Sequence, residues 1–291
     1  MSINVVTLDG GYCLHLERMV IQDGRIKSVK FPSLFFYIYH PKQGHILFDT
    51  GYSERFHEAT KGFPEKIYAL LTPVEVKEQD LAVNKLRGLG VNPGEIDYIF
   101  ISHFHADHIA ALKDFPNAKF IVSKDAWIDI KDRSRMGTLI RGVLPSLIPE
   151  DFEERVLFYE QMGREPDKKS SVLEGFKSWD IFSDGSMLAV PIPGHTCGHS
   201  GLLVNTPEKR HFLVGDACWM SRSIRDFKLP ALPTFLIMDS RRSYFESLNN
   251  LHKLYKNSSD IDLIPSHCGE VYANKVRNKS IDLKGMNSLE G

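Results

Sequence analysis

Four side chains that can bind a metal ion follow one short apolar strand. The strand is predicted over residues 96–101, and His103, His105, Asp107 and His108 come directly after it. In an extended chain, residues two apart point to the same side, so His103 and His105 can reach one ion. Asp107 and His108 lie past a turn and can reach a second ion. The helical His-Glu-x-x-His zinc motif spaces its ligands one turn apart, so this run instead predicts a metal site at a strand end.

Two metal positions need more ligands than this run supplies, and three candidates stand at later strand ends. His195, Asp216 and His267 each follow an apolar segment and a turn of glycine, proline or serine. A further carboxylate, Asp49, ends the strand that begins at His45. Imidazole suits zinc, and carboxylate supports its hydrolytic chemistry. The pattern therefore predicts a metal-dependent enzyme whose site is assembled from strand ends.

The remaining sequence alternates strands with helices in two halves. A helix with a glycine stop is predicted over residues 80–89, and residues 33–39 and 45–49 form a predicted hairpin. Further strands are predicted over residues 119–122, 187–192, 201–204, 211–214 and 262–265. This alternation predicts an α/β fold class, with sheets that helices cover.

The segment between the two halves, residues 125–180, is predicted to be mostly helical. Five apolar residues fall on one helical face: Met136, Ile140, Val143, Leu144 and Leu147. Pro145 interrupts this pattern, so a kink or a stop is predicted near Leu144. Two interpretations stay open for this face, namely packing on the core or an apolar wall over the active site. Residues 163–171 are polar and are predicted to be an exposed loop.

Composition excludes several classes of function. The formal net charge of −1 provides no basic surface for nucleic acid, and no segment reaches the roughly 18 apolar residues of a membrane span. The first residues carry no signal-peptide pattern, and four scattered cysteines are too few for a disulfide framework. We therefore expect a cytoplasmic protein with reduced thiols; a secreted protein whose signal has been removed is the alternative.

Taken together, these motifs resemble the metallo-β-lactamase superfamily over about residues 33–270. Its members carry His-x-His-x-Asp-His, followed by a histidine, an aspartate and a histidine on successive loops. The resemblance implies one domain over residues 1–291, an αβ/βα sandwich with a mostly helical insertion at about 125–180. It implies two Zn²⁺ ions with these ligands: His103, His105 and His195 on the first, Asp107, His108 and His267 on the second, Asp216 bridging both, and Asp49 supporting the ligands from outside.

Within the superfamily, the chain is most similar to the N-acyl homoserine lactonase group. It shares the histidine run, the Pro-Gly-His-Thr-x-Gly-His segment at residues 193–199 and a Gly-Asp pair that ends at Asp216. The bridging Asp216 argues against true β-lactamases, and His105 argues against the flavo-diiron branch. That lactonase group often carries a tyrosine where this chain has Trp219, which can donate only through its indole N–H. Trp219 is therefore expected either to contact the substrate or simply to pack.

The predicted function is hydrolysis of a lactone ring, with an N-acyl homoserine lactone as the expected substrate and quorum quenching as the expected role. A metal-bridging hydroxide is expected to attack the carbonyl, with Asp107 as the proton shuttle. His199 is expected to play a hydrogen-bonded structural role, and Cys197, Cys218 and Cys268 to be small neighbours of the ligands.

The alternatives on the same ligands are a thioesterase, a phosphodiesterase, a mono-iron persulfide dioxygenase and a metal-stabilised binding protein. The expected partner is a small molecule, which bears an acyl chain in the lactonase case, with no nucleic acid and no membrane span; a homodimer stays open.

Overall fold

The computed structural model describes residues 2–164, 173 and 175–277, and within them the strands form two sheets. One sheet has seven strands in the order β4-β1-β2-β3-β5-β6-β7, and the other has five in the order β12-β11-β10-β9-β8. The strands are β1 Asn4–Leu16, β2 Ser28–His40, β3 Gly44–Phe48, β4 Val74–Glu75, β5 Ile96–Phe100, β6 Lys119–Val122, β7 Val156–Phe158, β8 Trp179–Asp180, β9 Met187–Pro191, β10 Ser200–Asn205, β11 Arg210–Gly215 and β12 Ile261–Pro265.

Twelve α-helical segments accompany these strands in the described residues. They are α1 Glu17–Val20, α2 Glu54–Ala59, α3 Lys66–Leu71, α4 Ala82–Gly88, α5 Ala106–Ile109, α6 Lys124–Lys131, α7 Arg135–Ile140, α8 Phe152–Arg155, α9 Tyr159–Met162, α10 Ser221–Arg225, α11 Arg241–Asn257 and α12 Gly269–Val271. Short 3-10 turns cover Glu78–Asp80, Pro93–Glu95, Leu112–Asp114, Pro145–Leu147 and Leu232–Leu236, and a π-helical turn covers Tyr272–Arg277. In the described part of the chain, no helix is both long enough and apolar enough to cross a bilayer.

Parallel strand pairs determine where the polar strand ends meet. β3, β5, β6 and β7 run parallel in the first sheet, and β11 pairs with β12 in parallel in the second. The carboxyl ends of parallel neighbours lie at one edge, so the residues that follow β3 and β5 are brought together, as are those that follow β11 and β12. The backbone N–H of Ser200 donates to the carbonyl of Ser102 at 3.0 Å, which joins the two sheets at this edge.

Three apolar layers account for the sandwich. The inner faces of both sheets pack on each other through buried side chains such as Phe48 and Phe100 from one sheet and Leu202 and Leu213 from the other. The outer face of the first sheet packs against α4, α5 and α6, and the outer face of the second packs under α11. Each sheet is therefore buried on both faces, and the predicted αβ/βα sandwich is confirmed.

The predicted hairpin is confirmed, with Phe36 of β2 opposite Phe48 of β3. The helix predicted over residues 80–89 is also present, as α4. The long strand β1 was not predicted, because the Gly10 and Gly11 pair at its centre is typical of a turn. In the structure this pair forms a bulge: Gly11 has φ +82°, and a Cβ on Gly10 would lie 2.6 Å from the Cα of Gly51.

The described residues of the segment over 125–180 contain α7, α8, α9 and all but the first residue of α6, and the segment also supplies β7 to one sheet and β8 to the other. The helix predicted from Met136, with a kink or stop near Leu144, ends earlier than expected, because α7 ends at Ile140 and Gly142 follows with φ +70°. Met136 and Ile140 are 51% and 70% exposed, whereas the predicted partners Val143, Leu144 and Leu147 are buried in the core. The loop predicted at 163–171 lies mostly outside the described residues.

Candidate metal centre

The histidine run occupies the turn between β5 and α5. His103 lies between β5 and α5, His105 has extended backbone just before the helix begins at Ala106, and Asp107 and His108 fall within the first turn of that helix. The apolar strand thus delivers the first two imidazoles, and the helix turns the next two side chains towards the same space. All seven candidate ligands converge here in two groups, whose ligand atoms lie within 4.8 Å of one another in each group. The first group is His103, His105, His195 and Asp216, and the second group is Asp107, His108 and His267.

In the first group, His105 and His195 face each other across the centre, with Nδ1 of His105 3.0 Å from Nε2 of His195. The outer nitrogen of His105 donates to the carbonyl of Arg141 at 2.9 Å, which leaves Nδ1 as the electron-pair donor towards the centre. Nδ1 of His103 lies 3.0 Å from the hydroxyl of Ser102, so its Nε2 points inward. His103 and His105 are thus each oriented by a partner on the far side of the ring, whereas Nδ1 of His195 has no hydrogen-bond partner among the described residues.

The second group is oriented in the same way from deeper in the core. Nδ1 of His108 lies 2.7 Å from a carboxylate oxygen of Asp49, and Nδ1 of His267 lies 2.8 Å from the carbonyl of Pro32. Both Nε2 atoms turn towards Asp107 Oδ2, at 3.2 Å from His108 and 3.0 Å from His267.

Asp216 lies between the two groups. Its Oδ2 is 3.4 Å from Nε2 of His195 and 3.2 Å from Nε2 of His267, and its Oδ1 is 3.5 Å from Nε2 of His108. Oδ1 of Asp216 and Nε2 of His103 and of His108 are buried, and they make no hydrogen bond to any other described residue. Buried polar atoms that converge without hydrogen bonds fit the coordination of cations, so the residues present suit a two-metal centre.

Asp49 supports the centre from outside, where the sequence resemblance assigned it. It has φ +59°, a conformation that Asp and Asn tolerate better than most residues. One carboxylate oxygen accepts the N–H of Ser102 at 2.8 Å, and the other accepts the Ser102 hydroxyl at 2.8 Å and the imidazole of His108. Asp49 is fully buried, and these hydrogen bonds compensate for the hydration that its charged carboxylate loses in the core.

Trp219 lies against two members of the first group, His195 and Asp216. The indole N–H donates to Oδ2 of Asp216 at 2.8 Å, and the ring packs edge-on against His195 with centroids 5.5 Å apart. Its polar atom therefore contacts a candidate ligand. His199, expected to be structural, accepts the N–H of Asp216 at 3.0 Å and donates to the carbonyl of Ile192 at 3.2 Å.

The two groups differ in the charge that their imidazoles carry. Burial lowers the pKa of His103 and of His195 well below the usual value, and neighbouring imidazoles lower it further. Burial alone would also lower the pKa of His267, but the carboxylates of Asp216 and Asp107 raise it to about 10. At neutral pH, the first group is consequently neutral at these two rings, and His267 is protonated.

His108 follows the behaviour of His267. Burial opposes its protonation, yet the carboxylates of Asp107, Asp49 and Asp216 raise its pKa. The same attraction outweighs burial at Asp107 and Asp216 and holds their carboxyl pKa values low. The carboxylates of Asp107, Asp216 and Asp49 therefore favour positive charge at the second group, which protons or metal cations can supply.

A small pocket opens beside the first group, lined by Phe104, Ile130, Arg141, His195 and Ile237 among others. Neither Arg141 nor Ser102 was predicted to be part of the centre. The only sequence signal for Ser102 was its position directly before the histidine run. Arg141 contributes through its backbone carbonyl, which every residue has, so its type gave no signal.

The three cysteines near the ligands are unpaired, as is Cys13. Cys218 and Cys268 are buried, and Cys197 is half-buried. The Cys268 sulfur accepts a hydrogen bond from the backbone N–H of Ser221 at 3.3 Å and forms a second one with the hydroxyl of Ser221 at 3.1 Å. The structure therefore gives Cys268 a contact outside the two candidate metal groups.

The model of the metallo-beta-lactamase superfamily matches residues 30–254 of this chain. The N-acyl homoserine lactonase AttM of Rhizobium radiobacter is 28% identical to it over 266 residues, which cover 89% of this chain and 90% of that protein. The AttM protein of Agrobacterium fabrum is 27% identical over the same shares. These sequences agree with the resemblance that the motifs indicated.

Solved structures show the same fold. An N-acyl homoserine lactone hydrolase, solved with the product N-hexanoyl-L-homoserine at its catalytic metal centre, superimposes with a TM-score of 0.68. It is 20% identical, and the match covers 96% of this chain and 97% of that chain. AidC, described as a dizinc quorum-quenching lactonase, matches with a TM-score of 0.61 at 15% identity, over 92% and 88% of the two chains.

Proposed function

Because the chain belongs to the metallo-beta-lactamase superfamily, we propose that it is a zinc-dependent lactonase that hydrolyses the ester ring of N-acyl homoserine lactones. The observation that carries the proposal is the convergence of three imidazoles and one carboxylate beside a second group of two imidazoles and one carboxylate. Similarity to AttM lactonases over nine-tenths of the chain supports the choice of substrate class.

The first group would hold one zinc ion and the second group another, with Asp216 shared between them. Nitrogen-rich donor sets with carboxylates suit zinc better than magnesium or calcium, which prefer oxygen. When bound, two such cations supply a water of lowered pKa and polarise an ester carbonyl. The imidazole orientations set by Ser102, Asp49 and Pro32 preorganise the ligands, so little rearrangement opposes loading.

Asp107 is the group we assign to proton transfer. Attack of water on the lactone carbonyl forms a new C–O bond, and the ring C–O bond then breaks to leave the hydroxyl of the opened product. One proton must move from the water to that leaving oxygen, and Asp107 is 7% exposed at the face of the centre. His108 and His267 hold its carboxyl pKa low, so it is ionised at neutral pH and free to accept a proton.

The surroundings of the pocket suit an acyl chain. Ile237 lines the pocket beside His195, and it is 69% exposed. Arg141, which lines the same pocket, directly follows α7, which exposes Ile140 and Met136. An aliphatic chain placed across these residues would bury its own apolar surface together with that of the side chains. This burial favours lactones with longer acyl groups.

A thioester is the second candidate substrate, and Trp219 favours it. The indole N–H is engaged by Asp216 at 2.8 Å and offers no hydroxyl to a leaving alkoxide. A thiolate is a weaker base than an alkoxide and leaves without such help. Tryptophan at this position would therefore reduce the rate of hydrolysis less in a thioesterase than in a lactonase.

The test is hydrolysis by purified protein of known zinc content, assayed with N-acyl homoserine lactones of increasing chain length, simple lactones, thioesters and phosphodiesters. Release of acid from the homoserine lactones, abolished by a chelator and restored by Zn²⁺, is the expected result. His103→Ala should lose this activity and keep its far-ultraviolet circular dichroism. Activity confined to thioesters would mean that the substrate is a thioester and not a lactone. Full activity in metal-free protein would overturn the mechanism.

A further inference from the structure

Two histidines of the first group are held by two different parts of the chain. His105 donates to the carbonyl of Arg141, at the end of α7. The carbonyl of His195 accepts the backbone N–H of Asp239 at 3.2 Å, just before α11. Neither Arg141 nor Asp239 is a candidate ligand, yet each is one hydrogen bond away from one.

The loop that carries His195 is fixed on the beginning of α11 at three points. Besides Asp239, the N–H of Ser240 donates to the carbonyl of Gly194 at 3.1 Å, and the hydroxyl of Ser247 donates to the carbonyl of Pro193 at 2.7 Å. A Cβ on Gly194 would lie 2.1 Å from the backbone nitrogen of Tyr244. The position of His195 therefore follows that of the N-terminus of α11.

The support of His105 is equally close. Gly142 has φ +70°, and a Cβ there would lie 2.8 Å from the ring of His105. The turn formed by Arg141 and Gly142 thus lies directly against the imidazole. The position of His105 follows that of this turn.

The side chains of Arg141 and Asp239 join these two supports, with Nη1 3.0 Å from Oδ1. The contacts then form a closed ring: His105 to Arg141, Arg141 to Asp239, Asp239 to His195, and His195 back to His105 at 3.0 Å. We propose that Arg141 and Asp239 are a positioning pair that sets the separation of His105 and His195, and with it the affinity of the first group for its metal ion.

The pair acts on one group only. Asp49 and Pro32 orient the imidazoles of the second group, and neither belongs to the ring of contacts. Breaking the ion pair should consequently weaken one metal position and leave the other unchanged. This inference rests on the metal centre of the proposed function but not on its substrate.

The experiment is stepwise Zn²⁺ binding to metal-free full-length protein, by calorimetry against a competing chelator. Histidine ring resonances in nuclear magnetic resonance spectra identify which imidazoles each ion engages. Arg141→Met removes the charge and keeps the aliphatic stem, and Asp239→Asn keeps the backbone N–H that holds His195. Each is expected to weaken the first-group ion about twofold to fivefold, the range for a partly exposed ion pair. The double variant should match the single variants, and Arg141→Lys should recover most of the affinity.

Arg55→Met is the matched control, because Arg55 and Asp114 form an ion pair of similar exposure (34% and 22%, against 30% and 26% for Arg141 and Asp239). It should leave the affinity for both ions as in the wild type. Unchanged affinity in Arg141→Met and Asp239→Asn, equal weakening of both ions, or additive losses in the double variant would each overturn the proposal. A wild-type protein that binds two ions but opens no lactone would remove the proposed function and leave this inference standing.

Discussion

The two metal-binding groups share one carboxylate but are supported by different parts of the molecule. The second group is oriented by Asp49 and by the carbonyl of Pro32, both buried at the edge of the first sheet. The first group depends at His105 on Arg141, in the segment between the two halves, and at His195 on the loop that leads into α11. His105 is the only candidate ligand among the seven that is not classed as buried.

Because of this difference, we expect the metal position of the second group to be rigid and that of the first group to be adjustable. A ligand oriented by the core can move only if strands move, and closely packed interiors resist that. A ligand oriented by a short helix and an ion pair can shift with changes near the pocket. The first position is therefore the one whose affinity and geometry sequence changes can tune with little effect on the fold.

Asp216→Ala should produce the largest effect, because the Asp216 carboxylate lies next to histidines of both groups. If the carboxylate is shared by two ions, as we propose, its removal would take a ligand from each, so both affinities and the hydrolytic rate should fall to background. Metal content by mass spectrometry and lactone hydrolysis measure this. Asp262→Ala, which removes a carboxylate paired with Lys275 instead, should keep both ions. Retention of either ion with wild-type affinity in Asp216→Ala would contradict the shared role.

Changing pH should distinguish the two positions next. The pKa of His267 is raised to about 10 and that of His108 is also raised, so zinc must displace a proton from His267 and a second one wherever His108 is protonated. The affinity of the second group for zinc should therefore rise at least about tenfold per pH unit between pH 7 and 9. His103 and His195, with lowered pKa values, are already neutral, so the first position should change little over this range. Calorimetry in buffers of different ionisation enthalpy would count the released protons. Equal proton release at both positions would contradict the comparison.

The metal-free protein should show the opposite trend in stability. A histidine whose folded pKa exceeds its unfolded value of about 6.5 stabilises the fold fully below pH 6.5. That contribution is lost as pH rises through about 10. The free energy of unfolding of metal-free protein, from urea titrations, should therefore decrease from pH 7 to 9 while zinc binding strengthens.

Asp49→Asn should weaken the second position by about tenfold to a hundredfold, the usual effect of removing a partner of a metal-bound histidine. Asparagine tolerates the same φ of +59°, so backbone strain does not confuse the result. One carboxylate oxygen becomes an NH₂ group that faces the donors of Ser102 or His108. Asp97→Asn, at an exposed carboxylate that accepts the N–H of His45, is the control. A loss confined to the first-group ion would reverse our assignment.

Trp219→Phe should have the smallest of these effects, about threefold to tenfold in affinity of the first-group ion, because one hydrogen bond to a buried carboxylate is lost. The phenyl ring keeps the edge contact with His195. Trp127→Phe, at a partly buried ring of α6 that packs against Phe104, controls for loss of ring volume. If Trp219→Phe bound zinc as the wild type does and lost only substrate affinity, the indole would serve the substrate instead.

The sequence was sufficient to assemble the seven candidate ligands, because each follows a strand, and the carboxyl ends of the parallel strands meet at one edge. Asp49 was found for the same reason. The hairpin and the two-sheet architecture followed from alternating apolar segments. The assignment of these residues to zinc, the single domain and the cytoplasmic location remain predictions.

Contacts made by backbone atoms could not be read from the sequence. The carbonyl of Arg141 reaches His105 only because α7 ends at Ile140, and the apolar period continued past that point to Leu147. The positive φ of Gly142 ends the helix, and a glycine inside a periodic segment does not by itself announce a stop. The extra strands β7 and β8 were missed because two or three residues are too short for a periodic signal.

Because β7 and β8 complete the edges of the two sheets, the segment between the halves cannot be exchanged as one unit. A graft from a relative intended to alter acyl-chain preference would need to leave Val156–Phe158 and Trp179–Asp180 in place. The natural junctions lie further in, after α6 and before α8, so that residues 132–151 form the cassette. Any replacement must still present one free backbone carbonyl to His105.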